Sequence, residues 1–241
     1  MGKHARSGAQ RLARGLLLLY EDPDILVVDK PAGLLTIGTA TDKTRTAYFI
    51  LTDYVRKGRG RGPNRVFIVH RLDRETSGLL VFAKSETAKL RLQGQWPETE
   101  KKYLAVVHGR CKKASQTITS YLAENKAHVV YSTSDPAKGK LSHTAFRVLR
   151  QSKDFALLEV DLLTGRKNQI RVHLAGIGHP IVGDRKYGKA GDPYPHLALH
   201  AQSIMFTHPT SGKRLTFAAE TPGFFHKLVV RAEKPGRPED V

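Results

Sequence analysis

Cysteine is almost absent from this chain of 241 residues: Cys111 is the only one. No disulfide can form within it, which fits a reducing, cytoplasmic setting. Long apolar runs are missing too. None approaches the roughly 20 residues that a helix needs to cross a bilayer. Leu16 to Leu19 is too short for a secretory signal, although Lys3, Arg6, Arg11 and Arg14, with no acid among them, share the bias of an organelle presequence. A frayed basic arm over residues 1–15 is the simpler reading. Acids are scarce throughout, with 22 Asp and Glu against 40 Lys and Arg and a formal charge of +18. That excess points to a polyanionic partner. Nucleic acid comes first, because neutralising phosphates releases counterions. An anionic membrane is weaker, since no long amphipathic helix with a basic face stands out.

Several nucleotide and hydrolase signatures are also missing. Gly178 to Gly183 has phosphate-loop spacing, but Asp184 follows where a lysine is needed. Gly58, Gly60 and Gly62 fail to complete a dinucleotide fingerprint, because Pro63 takes the last glycine position. There is no nucleophile elbow. His196 and His200 lack the adjacent glutamate of a zinc protease, and one cysteine makes no cysteine-rich zinc site. We expect neither metal nor cofactor.

What is present is a run of short strands with a few helices. Leu16–Tyr20 and Ile25–Val28, separated by Glu21-Asp22-Pro23-Asp24, read as a hairpin. Helical spacing covers Thr44–Arg56, and Ser85 is a suitable N-cap for a helix through Leu92. Val66–Val69 and Leu79–Ala83 are apolar runs typical of buried strands. Further strands are expected at 103–107, 117–121, 129–132, 143–149, 156–162, 198–206 and 213–217, and helices at 168–175 and 224–231. Strands come in runs rather than alternating with helices, which predicts an α+β fold around a mostly antiparallel sheet. Residues 233–241 read as a disordered tail.

Three segments concentrate polar chemistry. His70-Arg71-Leu72-Asp73-Arg74-Glu75-Thr76-Ser77-Gly78 lies between two expected buried strands. Four charges and a histidine there are costly to bury unless paired or used, and loops on a rigid sheet are where catalytic groups sit. A turn in which Asp73 pairs with Arg71 or Arg74 and caps amides explains the same residues. The second segment is Thr164 to His173, where Gly165 supplies a turn and Gln169 and His173 share a helix face. An arginine there can hold a carboxylate, or the face can simply touch phosphate. The third is Lys101-Lys102-Tyr103, whose tyrosine can stack on a base or pack a strand.

Taken together, these segments resemble the RluA-type family of RNA pseudouridine synthases, over roughly residues 16–230. Leu26 to Gly33, His70-Arg71-Leu72-Asp73 with Thr76 to Leu80, Lys102 to Ala105, Gly165-Arg166 with Gln169 to Leu174 and Gly178 to Asp184, and Leu197 to Ala201 follow in the family's order. The resemblance implies a pseudouridine synthase fold: a curved, mostly antiparallel sheet in two subdomains with flanking helices and an active cleft between them. It implies that residues 16–232 form one catalytic domain. It also implies roles. Asp73 is the essential carboxylate, Tyr103 lies against the target base, Arg171 pairs with Asp73 and Ile170 packs beside the base. Arg71 enters the RNA stack vacated by the flipped uridine, and His70 stands on the substrate side.

The chemistry agrees with this inventory. Pseudouridine formation breaks a carbon–nitrogen bond and makes a carbon–carbon bond with the same base, so no redox group or energy source is required. It requires a carboxylate and a cation that keeps it ionised. Extracting the base costs a few kcal/mol, which stacking and an inserted arginine can offset. Two departures stand out. Lys167 and Asn168 replace a Thr-His pair common in the family, and the small RNA-binding domain that precedes many relatives' catalytic domains is expected to be absent. Lys57, Arg59, Arg61 and Arg65 are then candidates to grip RNA, since Val55 to Leu72 contains no acid. The substrate is expected to be tRNA or large-subunit rRNA and the protein a monomer. A non-catalytic RNA-binding protein would explain the charge but not Asp73. A nucleoside glycosidase would need a second carboxylate or a metal, with Glu75 the nearest candidate.

Overall fold

The computed structural model of the chain describes residues 6–57 and 65–231. In chain order it contains β1 (Arg6–Arg11), β2 (Leu17–Glu21), β3 (Ile25–Lys30), α1 (Ala47–Lys57), β4 (Phe67–Ile68), β5 (Ser77–Ala83) and α2 (Glu86–Gly94). There follow β6 (Glu100–His108), β7 (Ser115–Glu124), β8 (Val130–Thr133), β9 (Lys140–Gln151), β10 (Phe155–Leu162), α3 (Gln169–Gly176), β11 (Leu199–Thr207), β12 (Arg214–Ala218) and α4 (Gly223–Arg231). These form two compact units. The first takes in the residues up to Lys102 together with His200–Glu220; the second takes in Tyr103–Leu199 and the residues from Thr221 onward.

In the first unit the strands run β1-β2-β3-β5-β11, with β12 on β11 and β4 on β5. All these pairings are antiparallel except β5 with β11, which is parallel. Ile25 to Val28 are each fully buried, as a strand covered on both faces must be. Ile25 and Val27 share a core with Leu79, Val81, Phe206 and the α2 residues Ala88 and Leu92. Ser85 starts α2, its hydroxyl accepting the Ala88 amide.

The second unit orders its strands β6-β10-β9-β7-β8. β9 pairs antiparallel with β10 and with β7 over long registers, and its residues Ser142, Thr144 and Phe146 point inward at period two. Helices α3 and α4 pack on this sheet, α4 against β10.

Two local expectations are corrected. The strand expected at Val66–Val69 pairs with β5 only at Phe67 and Ile68, after which the chain leaves the ladder for the polar turn at His70. The segment expected to be a frayed arm instead supplies β1, paired with β2 through a bulge between Ser7 and Gln10. Arg6–Arg11 has no apolar alternation, so its backbone bonding to an open strand edge had no pattern to announce it. The expected tail at 233–241 lies outside the described residues.

Candidate active site

The turn between β4 and β5 is built to hold one position. Leu72 is buried, and its amide and carbonyl both meet the Thr36 hydroxyl, at 3.2 and 2.9 Å. The Arg74 carbonyl accepts from the Gly33 amide at 2.9 Å and from the Lys30 ammonium at 3.1 Å. Lys30 is fully buried and also donates to the carbonyls of Leu34 and Pro31. Burial pulls its ammonium down to about 7, against the upward pull of Glu75, Asp73 and Asp29. Its neighbour Asp29 is pushed up to about 6, mainly by burial. The Thr76 amide closes the turn on the Asp73 carbonyl. Half-buried Asp73 therefore stands on a backbone clamped from both sides, with exposed Arg71 beside it.

His70 anchors the start of this turn. Its ring stacks on Trp96 with centroids 4.5 Å apart, and its Nε2 accepts the Val81 amide at 3.1 Å. Burial, aided by the Lys101 charge, lowers its pKa to about 3, so it is neutral and able to accept. Arg74 donates through Nε to the Gly33 carbonyl and lies 3.5 Å from Glu75. At the far end of the turn, Gly78 has φ +109°, and a Cβ there would stand 2.3 Å from the Ala201 carbonyl oxygen. Only glycine lets β5 approach β11 so closely. Beside it the Ser77 hydroxyl meets His200 Nδ1 at 2.9 Å, and burial lowers the His200 pKa to about 4.

The second unit carries Tyr103, Ile170 and Arg171, all buried. Tyr103 lies in β6, and Ile170 and Arg171 lie in the first turn of α3. That turn is seated by Gln169. Its carbonyl oxygen accepts from the Thr164 hydroxyl and the Arg166 amide, while its amide nitrogen donates to the His143 carbonyl and the Thr144 hydroxyl. The four hydrogen bonds of the Gln169 side chain are thus all made within the protein. His173, one helical turn on, meets Thr144 and Ser120 through its two ring nitrogens, and burial holds its pKa at about 4.

Arg171 grips Asp184 in a two-point pair, Nε to Oδ2 at 2.8 Å and Nη2 to Oδ1 at 2.6 Å. Its Nη1 donates to the Asn168 side chain, and its guanidinium lies over the Tyr187 ring at 5.1 Å. Burial pushes the Asp184 carboxyl up, but the Arg171 bonds and charge and the amides of Tyr187 and Lys186 outweigh it and hold it below the usual range. Gly183, φ +75°, precedes Asp184, and a Cβ there would meet the His196 carbonyl at 2.0 Å. Asp184 is the site residue that sequence reasoning passed over. In the sequence it stands as an acid in the wrong place for a phosphate loop and as the end of the Gly178–Asp184 motif, with no role attached, and that misplaced acid is the available signal.

At the departure from the family's Thr-His pair, Asn168 takes a left-handed conformation, φ 53°, as the N-cap of α3, and bonds both Arg171 and Tyr187. Lys167 pairs with Glu124 on the surface. In the basic loop, Lys57 ends α1 and pairs with Asp53, and Arg65 lies over the Phe67 ring at 4.9 Å. Arg59 and Arg61 lie outside the described residues.

Among the described residues one group, Asp22, Asp24 and His208, is close enough to share a cation. Its chemistry fits a closed network better. His208 Nδ1 accepts the amides of Thr210 and Ser211, which leaves Nε2 as the donor to Asp22 at 2.9 Å. Both ring nitrogens are in use. No helix among the described residues is long and apolar enough to cross a membrane.

The mostly antiparallel α+β fold, the clamped aspartate turn and the buried arginine at a helix start are set in a class by comparison with known proteins, that of RNA-modifying enzymes. The family profile of RNA pseudouridylate synthases matches residues 24–176. An uncharacterized RNA pseudouridine synthase of Mycoplasma genitalium is 38% identical over 220 residues, covering 88% of this chain and 69% of that protein. One from Bacillus subtilis is 37% identical, covering 91% and 73%. The protein named ribosomal large subunit pseudouridine synthase D of Zymomonas mobilis is 34% identical, covering 86% and 69%. In fold, the human protein titled RNA pseudouridylate synthase domain containing 4 superposes with a TM-score of 0.74, covering 91% of this chain and 94% of that one at 23% identity. The chain belongs to the RluA-type RNA pseudouridine synthases, isomerases that act on RNA.

Proposed function

We propose that this protein isomerises particular uridines of tRNA or large-subunit rRNA to pseudouridine, with Asp73 as the catalytic carboxylate. The observation that carries the reading is the clamped turn. Thr36, Gly33 and Lys30 fix the backbone on both sides of Asp73. A reactive group benefits from such fixing, because positioning is part of the barrier it must lower. In the reaction the bond from the sugar C1′ to N1 of uracil breaks and one from C1′ to C5 forms. The base stays uncharged overall because C5 loses a proton and N1 gains one. Asp73 supplies the carboxylate that adds to the base or assists at C1′. Tyr103 and Ile170 serve the uracil ring, Arg171 pairs with the Asp73 carboxylate as well as Asp184, and Arg71 fills the stack left by the flipped nucleotide. His70 supports the turn from the substrate side.

The name of the Zymomonas mobilis relative favours large-subunit rRNA over tRNA. Lys57, Arg59, Arg61 and Arg65 grip phosphate beside the target. The reading takes the protein to be a cytoplasmic monomer with residues 16–232 as its catalytic domain.

The test is to incubate the protein, and Asp73→Asn, with total RNA lacking pseudouridine, and to map pseudouridine by chemical labelling. New pseudouridine with the unaltered protein alone is expected, with a loss on the order of a thousandfold or more in the variant. Equal signal from both would remove Asp73 from the mechanism. Release of free uracil instead would make the protein a glycosidase.

A further inference from the structure

Within the second unit, away from the residues so far given a role, a cavity of about 450 Å³ opens between α4 and the start of β10. Its lining includes the rings of Phe155, Tyr194, His196 and Phe224, with Lys227 and Asp154 as its charged residues. The rings are mutually arranged. Tyr194 meets Phe155 edge-on at 5.6 Å, and His196 lies 6.3 Å from Phe224. The three six-membered rings are half-buried, while His196 and Lys227 are exposed. A space of this size suits one flat aromatic guest.

The charge on the segments around the cavity is mostly positive. The Gly109 amide donates to the Asp154 carbonyl, the Cys111 amide to the Gln151 side chain and the Val148 amide to the Ala114 carbonyl. The β6–β7 loop is thereby bound to the β9–β10 turn. Exposed Arg110, Lys112 and Lys113 lie on the loop and Lys153 on the turn that the Gly109 bond joins at Asp154, against the acids Asp154 and, beside Tyr194, Asp192. Phosphate is the group that such a rim attracts, and a nucleobase is the group that stacks on such rings.

The cavity also connects to the arginine site through one loop. The segment from Gly183 supplies Asp184 to Arg171 and, further on, Tyr194 and His196 to the cavity. Asp192 braces it midway, accepting from the Gly183 and Tyr194 amides and meeting His108 Nε2 at 2.7 Å.

We infer that this cavity is a second nucleotide subsite, which takes an unpaired base of the substrate RNA between the Tyr194, Phe155 and Phe224 rings while the basic rim holds its phosphates. The inference rests on the proposal that RNA is isomerised here, and it narrows the substrate to RNA with an unstacked nucleotide besides the target uridine.

The probe is a fluorescein-labelled single-stranded hexamer of adenosine, compared with a fully paired RNA stem of equal charge, titrated by anisotropy against the full chain. Phe224→Ala should weaken hexamer binding roughly tenfold and the stem far less, since stacking is lost only where a base is free. Phe224 also packs on Phe225 at 4.7 Å. The exposed variant Lys227→Glu therefore serves as a second test, weakening the hexamer and lowering its salt dependence by about one ion. Unchanged hexamer affinity in both variants overturns the subsite and leaves a cavity for an apolar protein side chain. Equal losses for hexamer and stem also overturn it, leaving only a basic surface. Pseudouridine formation by the unaltered protein separates the two readings. If hexamer binding depends on Phe224 but no pseudouridine forms with the unaltered protein, the isomerase proposal fails and the subsite stands. If pseudouridine forms and both variants bind the hexamer normally, the reverse holds.

Discussion

The turn that carries Asp73 is held through its backbone, by the Thr36 hydroxyl on Leu72 and by Lys30 and Gly33 on the Arg74 carbonyl. The helix start that carries Arg171 is held through side chains, with Asp184 and Asn168 on the guanidinium and Gln169 beneath it. The two solutions suit two kinds of group. The role proposed for Asp73 asks that its turn hold still, and main-chain bonds to its neighbours do that. A buried cation must be neutralised whether or not substrate is present, so its side chain is paired within its own unit. The same contrast sets how each region should fail.

The largest stability effect is expected at the side-chain clamp. Asp184→Ala leaves Arg171 buried without its two-point partner and should cost about 3–5 kcal/mol, read as a lower midpoint in urea unfolding. A cost near zero would show that Arg171 is neutralised by other means. Next comes the glycine at the end of the Asp73 turn. Gly78→Ala puts a Cβ 2.3 Å from the Ala201 carbonyl at a φ of +109°, and should cost about 3 kcal/mol or more by the same measurement.

Acid should weaken both regions through their neutral histidines. His200 and His173 have pKa values lowered from 6.5 to about 4. The unfolded chain therefore binds more protons than the folded one between those values, and stability falls as pH drops through that window. From pH 7 to pH 5 the loss is about 2 kcal/mol per histidine as an upper bound. A urea midpoint that is flat over that range would contradict the burial argument. The smallest effect belongs to the backbone clamp. Thr36→Val strands the Leu72 amide and carbonyl and should cost about 1–3 kcal/mol. Pseudouridine formation should fall further than that stability loss explains, with kcat reduced more than KM is raised. An unaffected kcat would break the link between the clamp and Asp73.

Much of the local structure was legible in the residues. The β2–β3 hairpin, the Ser85 cap, the helices α1, α3 and α4 and the antiparallel α+β class all follow from apolar spacing and turn chemistry, which act over a few residues. The motif order in the chain was enough to recognise the family. The strand β1 was not legible, because Arg6–Arg11 is polar and is held by bonds to the backbone of β2 rather than by an apolar face. Nor was the pairing of Arg171 with Asp184. Asp184 lies 13 positions away and meets the guanidinium only because the loop at Gly183 packs against His196. Lys30 falls within the Leu26–Gly33 motif with no role attached to it in the sequence, and the folded chain makes it a buried donor to three carbonyls. Sequence by itself determined which elements form and which chemistry the chain carries, since propensity, period and charge are local properties. Tertiary structure decided which polar groups pair, because burial makes each unpaired one costly and only the folded chain brings distant partners within hydrogen-bond reach.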